Sequence, residues 1–276
     1  MLIDDALRAF RDAVCGAEPE IDLALGAFEI ARVEHPDIVA PREQQRLDVL
    51  AIRSGAGAVG DSVKALHRLR EFLFEEEGFS GNGNDYYDPR NSCLNDVLDR
   101  RLGIPITLSV LMMEVGRRVG LHIHGVGLPG HFVVRADVGP DPVLLDPFDG
   151  GALLTPERAA EVVARALGRR APITEQHLAP VTKRQILTRM LMNLKSIYAQ
   201  RREWTKALAV YDRLLILDGS AAAHFRDRGA VHVRLGHFHK GVSDWERYLT
   251  RCPKAEDADA VRHQLRQVRQ RLAALN

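Results

Sequence analysis

A histidine and an aspartate in the middle of the chain have the residue types and spacing of two members of a thiol-dependent catalytic site. His131 opens one predicted strand, and Asp146 closes the next, fifteen positions later. In such a site the histidine activates a cysteine, and the aspartate orients the imidazole through its other ring nitrogen. Neighbouring antiparallel strands can bring the two side chains together. We therefore expect a His131–Asp146 pair, which serves either catalysis or a hydrogen bond that joins two strands.

Two helices and three extended runs are predicted around this pair. The first helix starts after Asn91 and Ser92, which can cap it, and stops at Gly103. The second starts at Pro105, a favourable first helical position, and stops at Gly120. Three extended runs separated by turn-forming residues follow, at residues 121–128, 131–136 and 143–146.

Both ends of the chain are predicted to be helical, and the C-terminal end contains a repeat. Apolar residues have approximate helical spacing up to about residue 80, and this spacing returns in the last third of the chain. Ala207 and Gly241 lie 34 residues apart, which is the period of the tetratricopeptide repeat, although the second copy is degenerate. We therefore predict an α+β fold with one domain over residues 1–181 and a helical repeat region over residues 182–276.

Three short runs around these elements resemble the transglutaminase-like superfamily. They are Gly103-Ile104-Pro105, Pro129-Gly130-His131-Phe132 and Leu145-Asp146-Pro147-Phe148. More narrowly, the chain resembles the bacterial SirB-type proteins, which join such a core to C-terminal tetratricopeptide repeats, and the likeness is strongest over residues 78–151. The resemblance implies a helical N-terminal segment and a papain-like core with a small antiparallel sheet. Members of this type are described as candidate regulators, with no established reaction to carry over.

The resemblance also locates a substitution at the nucleophile. Catalytic members of the superfamily have Gly-x-Cys at the start of the core helix, with a glycine turn fifteen residues after the cysteine. Counting back fifteen residues from Gly120 places Gly103-Ile104-Pro105 in that slot. Proline carries no nucleophile, although a helix N-terminus would favour a thiolate. We therefore expect no thiol at the nucleophile position, because Pro105 occupies it. This argues against an enzyme, and the enzyme remains the alternative hypothesis.

Cys93 is the cysteine that could replace the missing thiol. It follows Asn91-Ser92 in the first turn of a predicted helix, where a thiolate would again be favoured. Two interpretations remain open. Either Cys93, His131 and Asp146 form a triad, or Cys93 is a small buried residue and the site has no nucleophile.

Composition and motifs argue against several other classes of function. The 38 Lys and Arg residues nearly cancel the 37 Asp and Glu residues, so we expect no nucleic-acid partner. Three scattered cysteines argue against a disulfide scaffold and a structural zinc site, and the sequence contains no nucleotide-binding loop. We therefore expect no cofactor and no metal. With no signal-peptide pattern and no apolar run near the ~20 residues that cross a bilayer, we expect a cytoplasmic protein without a membrane partner.

A binding function is the leading hypothesis. We predict that the cleft beside the histidine–aspartate pair binds an amide or peptide through four further residues: Asn91, Ser92, Pro105 and Gly130. The chain would be a non-catalytic protein with a regulatory role, and the repeat region would dock a protein or peptide partner. The alternative is a cysteine-dependent amidase, peptidase or acyltransferase that uses the triad. A structural scaffold is a third hypothesis.

Overall fold

The computed structural model of the chain describes residues 2–170 and 172–275. Within these residues the chain forms twelve α-helices: α1 (Leu2–Val14), α2 (Leu23–Ala31), α3 (Ala40–Ser54), α4 (Ser62–Glu71), α5 (Leu94–Arg100), α6 (Pro105–Arg118), α7 (Pro156–Leu167), α8 (Lys183–Arg201), α9 (Trp204–Leu217), α10 (Ala222–Arg234), α11 (Phe238–Arg251) and α12 (Ala258–Leu275). They also form six strands: β1 (Ser80–Gly81), β2 (Leu102–Gly103), β3 (Ile123–Val126), β4 (Val133–Ala136), β5 (Val143–Asp146) and β6 (Ala152–Leu153). None of these helices is both long and apolar enough to cross a bilayer.

The chain divides into two compact units, and the α+β fold predicted from the sequence is confirmed. One unit, here called the core unit, runs from residue 12 to residue 190. The other, here called the repeat unit, comprises the chain up to residue 11 together with the chain from residue 191 onward.

An antiparallel sheet in the core unit joins β3, β4, β5 and β6 in that order. The three extended runs predicted from the sequence are confirmed as β3, β4 and β5, but two of them are shorter than predicted. In particular β4 begins at Val133, so His131 lies in the turn before the strand and not at its start. Strand β6 and helix α7 were not predicted.

Helix α6 packs beside the sheet and is deeply buried. It begins at Pro105, after Ile104 in extended conformation, and its residues 105–112 are all buried, so every face of the helix is covered. It packs against α3 and against strands β3 and β4. A helix that is buried on all faces is expected inside a domain. It gives the sheet and the turn before β4 a rigid support.

A short parallel pair of strands brings a glycine-rich segment beside the entry to α6. Strand β1 pairs with β2, so that Gly81 lies opposite Gly103. A Cβ atom on Gly81 would come within 2.6 Å of the Phe148 ring and of the Phe148 carbonyl oxygen. Glycine at position 81 therefore permits a close approach that no side chain would allow.

The repeat unit contains the helical pairs that the 34-residue period predicted. A Cβ atom on Gly229 would lie 2.6 Å from the Trp245 indole, so the glycine lets α10 and α11 pack closely. The second copy places Arg228 where an apolar residue is usual, and its guanidinium donates to Asp244 at 2.7 Å and to Asp212 at 2.8 Å. Paired charges thus replace apolar packing in the degenerate copy.

Candidate functional site

The predicted contact between His131 and Asp146 is present. His131 Nε2 lies 2.8 Å from Asp146 Oδ2, and the two residues are 9% and 2% exposed. Strands β4 and β5 are antiparallel neighbours, with Val134 opposite Leu145. The turn before one strand and the end of the other therefore meet at the same edge of the sheet, which brings the two side chains together.

The carboxylate of Asp146 is held by both of its oxygens. While Oδ2 faces the imidazole, Oδ1 accepts a hydrogen bond from the backbone N–H of Phe148 at 3.0 Å and caps the short 3-10 helix Pro147–Asp149. A carboxylate accepts and does not donate, so the neutral His131 ring carries its proton on Nε2. Nδ1 of His131 is then an acceptor, and it is the atom that would take a proton from a nucleophile.

The turn that carries His131 is fixed from two sides. Gly130 has a φ of +72°, which favours glycine, and a Cβ atom there would lie 3.1 Å from the methyl group of Ala166. Arg189, on α8, donates from Nη2 to the carbonyl oxygens of His131 at 2.6 Å and Leu128 at 3.2 Å. Burial lowers the pKa of Arg189. Sequence reasoning missed Arg189, and its position 58 residues after His131 gives no signal of this contact.

Aromatic side chains form a wall beside the imidazole. The Phe148 ring meets the His131 ring edge-on with centroids 6.0 Å apart, and Tyr86 meets Phe148 in the same way at 6.2 Å. Burial raises the pKa of the Tyr86 hydroxyl, and the positive charge of Arg189 acts in the opposite direction. The surroundings of the pair are thus aromatic and cationic.

Pro105 stands at the first position of α6 and is buried. Its ring nitrogen carries no hydrogen, so one backbone donor that a helix N-terminus normally leaves free does not exist here. The residue before it, Ile104, offers no side-chain cap. The first position of α6 and the residue before it therefore supply neither a thiol nor a polar side chain.

Comparisons with known proteins agree with this architecture. Residues 42–192 match the family described as transglutaminase-like superfamily, and residues 194–266 match the one described as tetratricopeptide repeat. The chain belongs to the transglutaminase-like superfamily. A UPF0162 protein of Xylella fastidiosa is 39% identical over 244 residues, 87% of this chain and 87% of its own length. Protein SirB1 of Salmonella typhimurium is 24% identical over 263 residues, 94% of this chain and 96% of its own, and the SirB-type resemblance is confirmed.

Cys93 lies at the N-cap position of α5 in this transglutaminase-like core, and it is 0% exposed. Its Sγ atom is 3.5 Å from the carbonyl oxygen of Pro89, four residues earlier in the chain. Cys93 therefore lies at a helix N-terminus, as predicted, but its thiol is enclosed by protein atoms and is not exposed to solvent. A catalytic thiol must be reached by its substrate.

Asn91 holds the loop before α5 with its whole side chain. Its Oδ1 accepts from Asn82 Nδ2 at 3.1 Å, and its Nδ2 donates to the carbonyl oxygen of Asp85 at 2.7 Å. Its own carbonyl oxygen accepts from Thr107 Oγ1 at 2.7 Å, which ties the loop to the first turn of α6. An amide or peptide bound by Asn91, as predicted, would have to displace these protein partners.

Ser92, the neighbouring predicted binding residue, is almost fully buried, and its Oγ has no hydrogen-bond partner among the described residues. Across the same residues, no group of three or more His, Cys, Asp or Glu side chains could hold a metal ion. The residues that the structure brings together are thus His131, Asp146 and the turn at Gly130. The segment Asn91–Cys93 precedes α5, is hydrogen-bonded to the first turn of α6 through Thr107, and lies inside the protein.

Proposed function

We propose that this protein acts by binding a protein or peptide and that its transglutaminase-like core performs no thiol chemistry. The observation that carries the proposal is the buried Pro105 at the start of α6, the position at which the resemblance to catalytic members places the nucleophile. The complete burial of Cys93 supports it, because a substrate would have to open the N-terminus of α5 to reach the sulfur. A regulatory role in the cytoplasm remains part of this proposal.

The repeat unit is the proposed docking region. Tetratricopeptide repeats commonly bind extended peptides on the surface that their stacked helices form. Within this unit Lys195 of α8 pairs with Asp227 of α10 at 2.9 Å, so neighbouring first helices of the repeats present charged groups side by side. A peptide with polar side chains would match such a surface.

A peptide selection on the full chain tests the binding role. We expect a random displayed library to yield peptides that photo-cross-link to residues on α8, α10 or α12. A Lys195→Glu, Asp227→Lys exchange reverses both charges while preserving the pair, and it should change which peptides are selected. The proposal is wrong if no peptide is enriched, or if all cross-links fall between residues 12 and 190.

A cysteine-dependent amidase, peptidase or acyltransferase is the second candidate. The observation that favours it is the His131–Asp146 pair at 2.8 Å, with the aspartate bonded to Nε2 so that Nδ1 is left to accept a proton. This candidate requires Cys93 to become exposed and to react as a thiolate with an external electrophile.

A further inference from the structure

A pocket on α3 of the core unit shares no lining residue with the His131 site. Its volume is about 360 Å³, within the lower range of small-molecule sites. Four of the side chains around it are arginines, and the others are one glutamine and three apolar residues. The lining residues are Arg42, Gln45, Arg46, Val49, Leu50, Arg53, Leu98 and Arg101.

The sequence of α3 places three of these arginines on one helical face. Arg42, Arg46 and Arg53 are separated by four and seven residues, spacings that align side chains along a helix. Like charges at such spacings destabilise an isolated helix. The arrangement therefore needs negative charge close to the three arginines.

Carboxylates supply part of that charge and fix the guanidinium groups. Glu77, whose side chain is 7% exposed, pairs with Arg53 at 2.5 Å and with Arg101 at 2.7 Å. Arg46 pairs with Asp99 at 2.6 Å, and with one further carboxylate on its own helix. Three of the four arginines are thus held in place by protein carboxylates.

Arg42 differs from the other three. Among the described residues its guanidinium forms no ion pair within 4.0 Å, although it lines the same pocket and also a neighbouring cleft with Glu34, Asp37 and Glu43. Among the described residues the pocket therefore contains one guanidinium that forms no direct ion pair, beside three that are already oriented. Planar guanidinium groups in fixed positions match carboxylate and phosphate oxygens.

The backbone at Arg101 adds an independent observation. Arg101 has a φ of +61° at the C-terminus of α5, a position where glycine is the usual residue. Its guanidinium lies 4.6 Å from the centroid of the Phe79 ring and bonds to the Leu98 carbonyl oxygen. These contacts, together with the ion pair to Glu77, fix the Arg101 guanidinium at the wall of the pocket.

The pocket also has an apolar part. Leu50 and Leu98 are buried at its base, and Val49 is half exposed at its rim. We propose that this pocket binds an organic anion, whose carboxylate or phosphate group is held by Arg42 and the oriented arginines and whose apolar body contacts Leu50, Leu98 and Val49.

Calorimetric titration of the full chain tests this proposal with four probes. They are phenyl phosphate, phenylacetate, inorganic phosphate and the neutral benzyl alcohol. We expect saturable binding of phenyl phosphate or of phenylacetate, whichever matches the natural head group, and weaker binding of inorganic phosphate. Benzyl alcohol should not bind, and added salt should weaken the anion because part of the attraction is screened.

Arg42→Gln is the main variant, and Arg165→Gln is its matched control. Both arginines are exposed on helices and form no ion pair within 4.0 Å among the described residues. Loss of one charge-assisted contact should weaken binding of the anion roughly 10- to 100-fold in Arg42→Gln and leave it unchanged in Arg165→Gln. Val49→Glu, which places a like charge at the rim, should weaken it as well and gives a second variant if the first does not fold.

Four results would overturn the proposal. They are the absence of binding by both aromatic anions, unchanged affinity in Arg42→Gln, an equal loss in Arg165→Gln, and inorganic phosphate binding as tightly as phenyl phosphate. The last result would mean that the apolar residues of the pocket contribute nothing to binding. Binding of phenyl phosphate alone would identify phosphate as the head group, and binding of phenylacetate alone would identify carboxylate.

Discussion

Removing the Asp146 carboxylate should destabilise the core unit, and the structure gives the size of the effect. The carboxylate accepts from His131 Nε2 at 2.8 Å and from the Phe148 N–H at 3.0 Å. Asp146→Ala leaves both donors without these acceptors at a buried position. Each buried donor that loses its partner costs about 1–3 kcal/mol. We therefore expect Asp146→Ala to lower the free energy of unfolding by about 2–6 kcal/mol.

Native-state hydrogen exchange of the amides in β4 and β5 is the appropriate assay. The two tryptophans, Trp204 and Trp245, both lie after residue 191, so tryptophan fluorescence follows the repeat unit and not the core unit. The change in protection of the slowest amides gives the change in the free energy of opening. The repeat unit, read by fluorescence, serves as an internal reference.

Two variants serve as controls for this measurement. Asp146→Asn retains an acceptor for the Phe148 amide and a polar group opposite His131, so we expect less than half of the loss seen with alanine. Asp137→Ala removes a carboxylate that is 42% exposed and pairs with Arg135 at 3.0 Å, and such pairs contribute about 0–1 kcal/mol. The reasoning is refuted if Asp146→Ala costs no more than Asp137→Ala.

Two further predictions concern pH and thiol reactivity. Burial lowers the pKa of His224 and His232, so the stability that these residues contribute is fully present above the unfolded pKa of about 6.5 and is lost as the pH falls from that value through the lower folded-state pKa. The urea midpoint of the repeat unit, read by tryptophan fluorescence, should fall from pH 7.5 to pH 5.5, and it should fall less in the His224→Gln, His232→Gln double variant. An equal fall in both proteins would contradict this. In the native chain, iodoacetamide should label the exposed Cys15 at least about tenfold faster than the buried Cys93, and equal rates would favour the triad.

Local signals in the sequence were sufficient to predict the elements that carry the site. Pro105 marks the first residue of α6, and Gly120 marks the turn after it with a φ of +82°. These residues have strong conformational preferences of their own, so the prediction needs no knowledge of distant contacts. The antiparallel meander follows in the same way from short apolar runs separated by turns. Its strand order then places His131 beside Asp146.

Contacts between distant segments could not be predicted from the sequence. Arg189 reaches the carbonyl oxygen of His131 across 58 positions, and no spacing rule connects the two residues. The burial of Cys93 is of the same kind, because its helix position is local but its exposure depends on the whole core. Helix α7 is a different case, since Thr155 caps it and Pro156 opens it. Those two residues are a readable helix start.

The His131–Asp146 pair does not by itself imply catalysis. Asp146 caps the 3-10 helix that follows β5, His131 meets Phe148, and the carbonyl oxygen of His131 accepts from Arg189. Each of these contacts stabilises the junction of β4, β5 and α8 without a thiol. What separates the two functions is His131 Nδ1, which must face a nucleophile in an enzyme but needs no partner in a structural pair. The buried Pro105 at the start of α6 is the observation on which we base the proposal of a stabilising role for the pair.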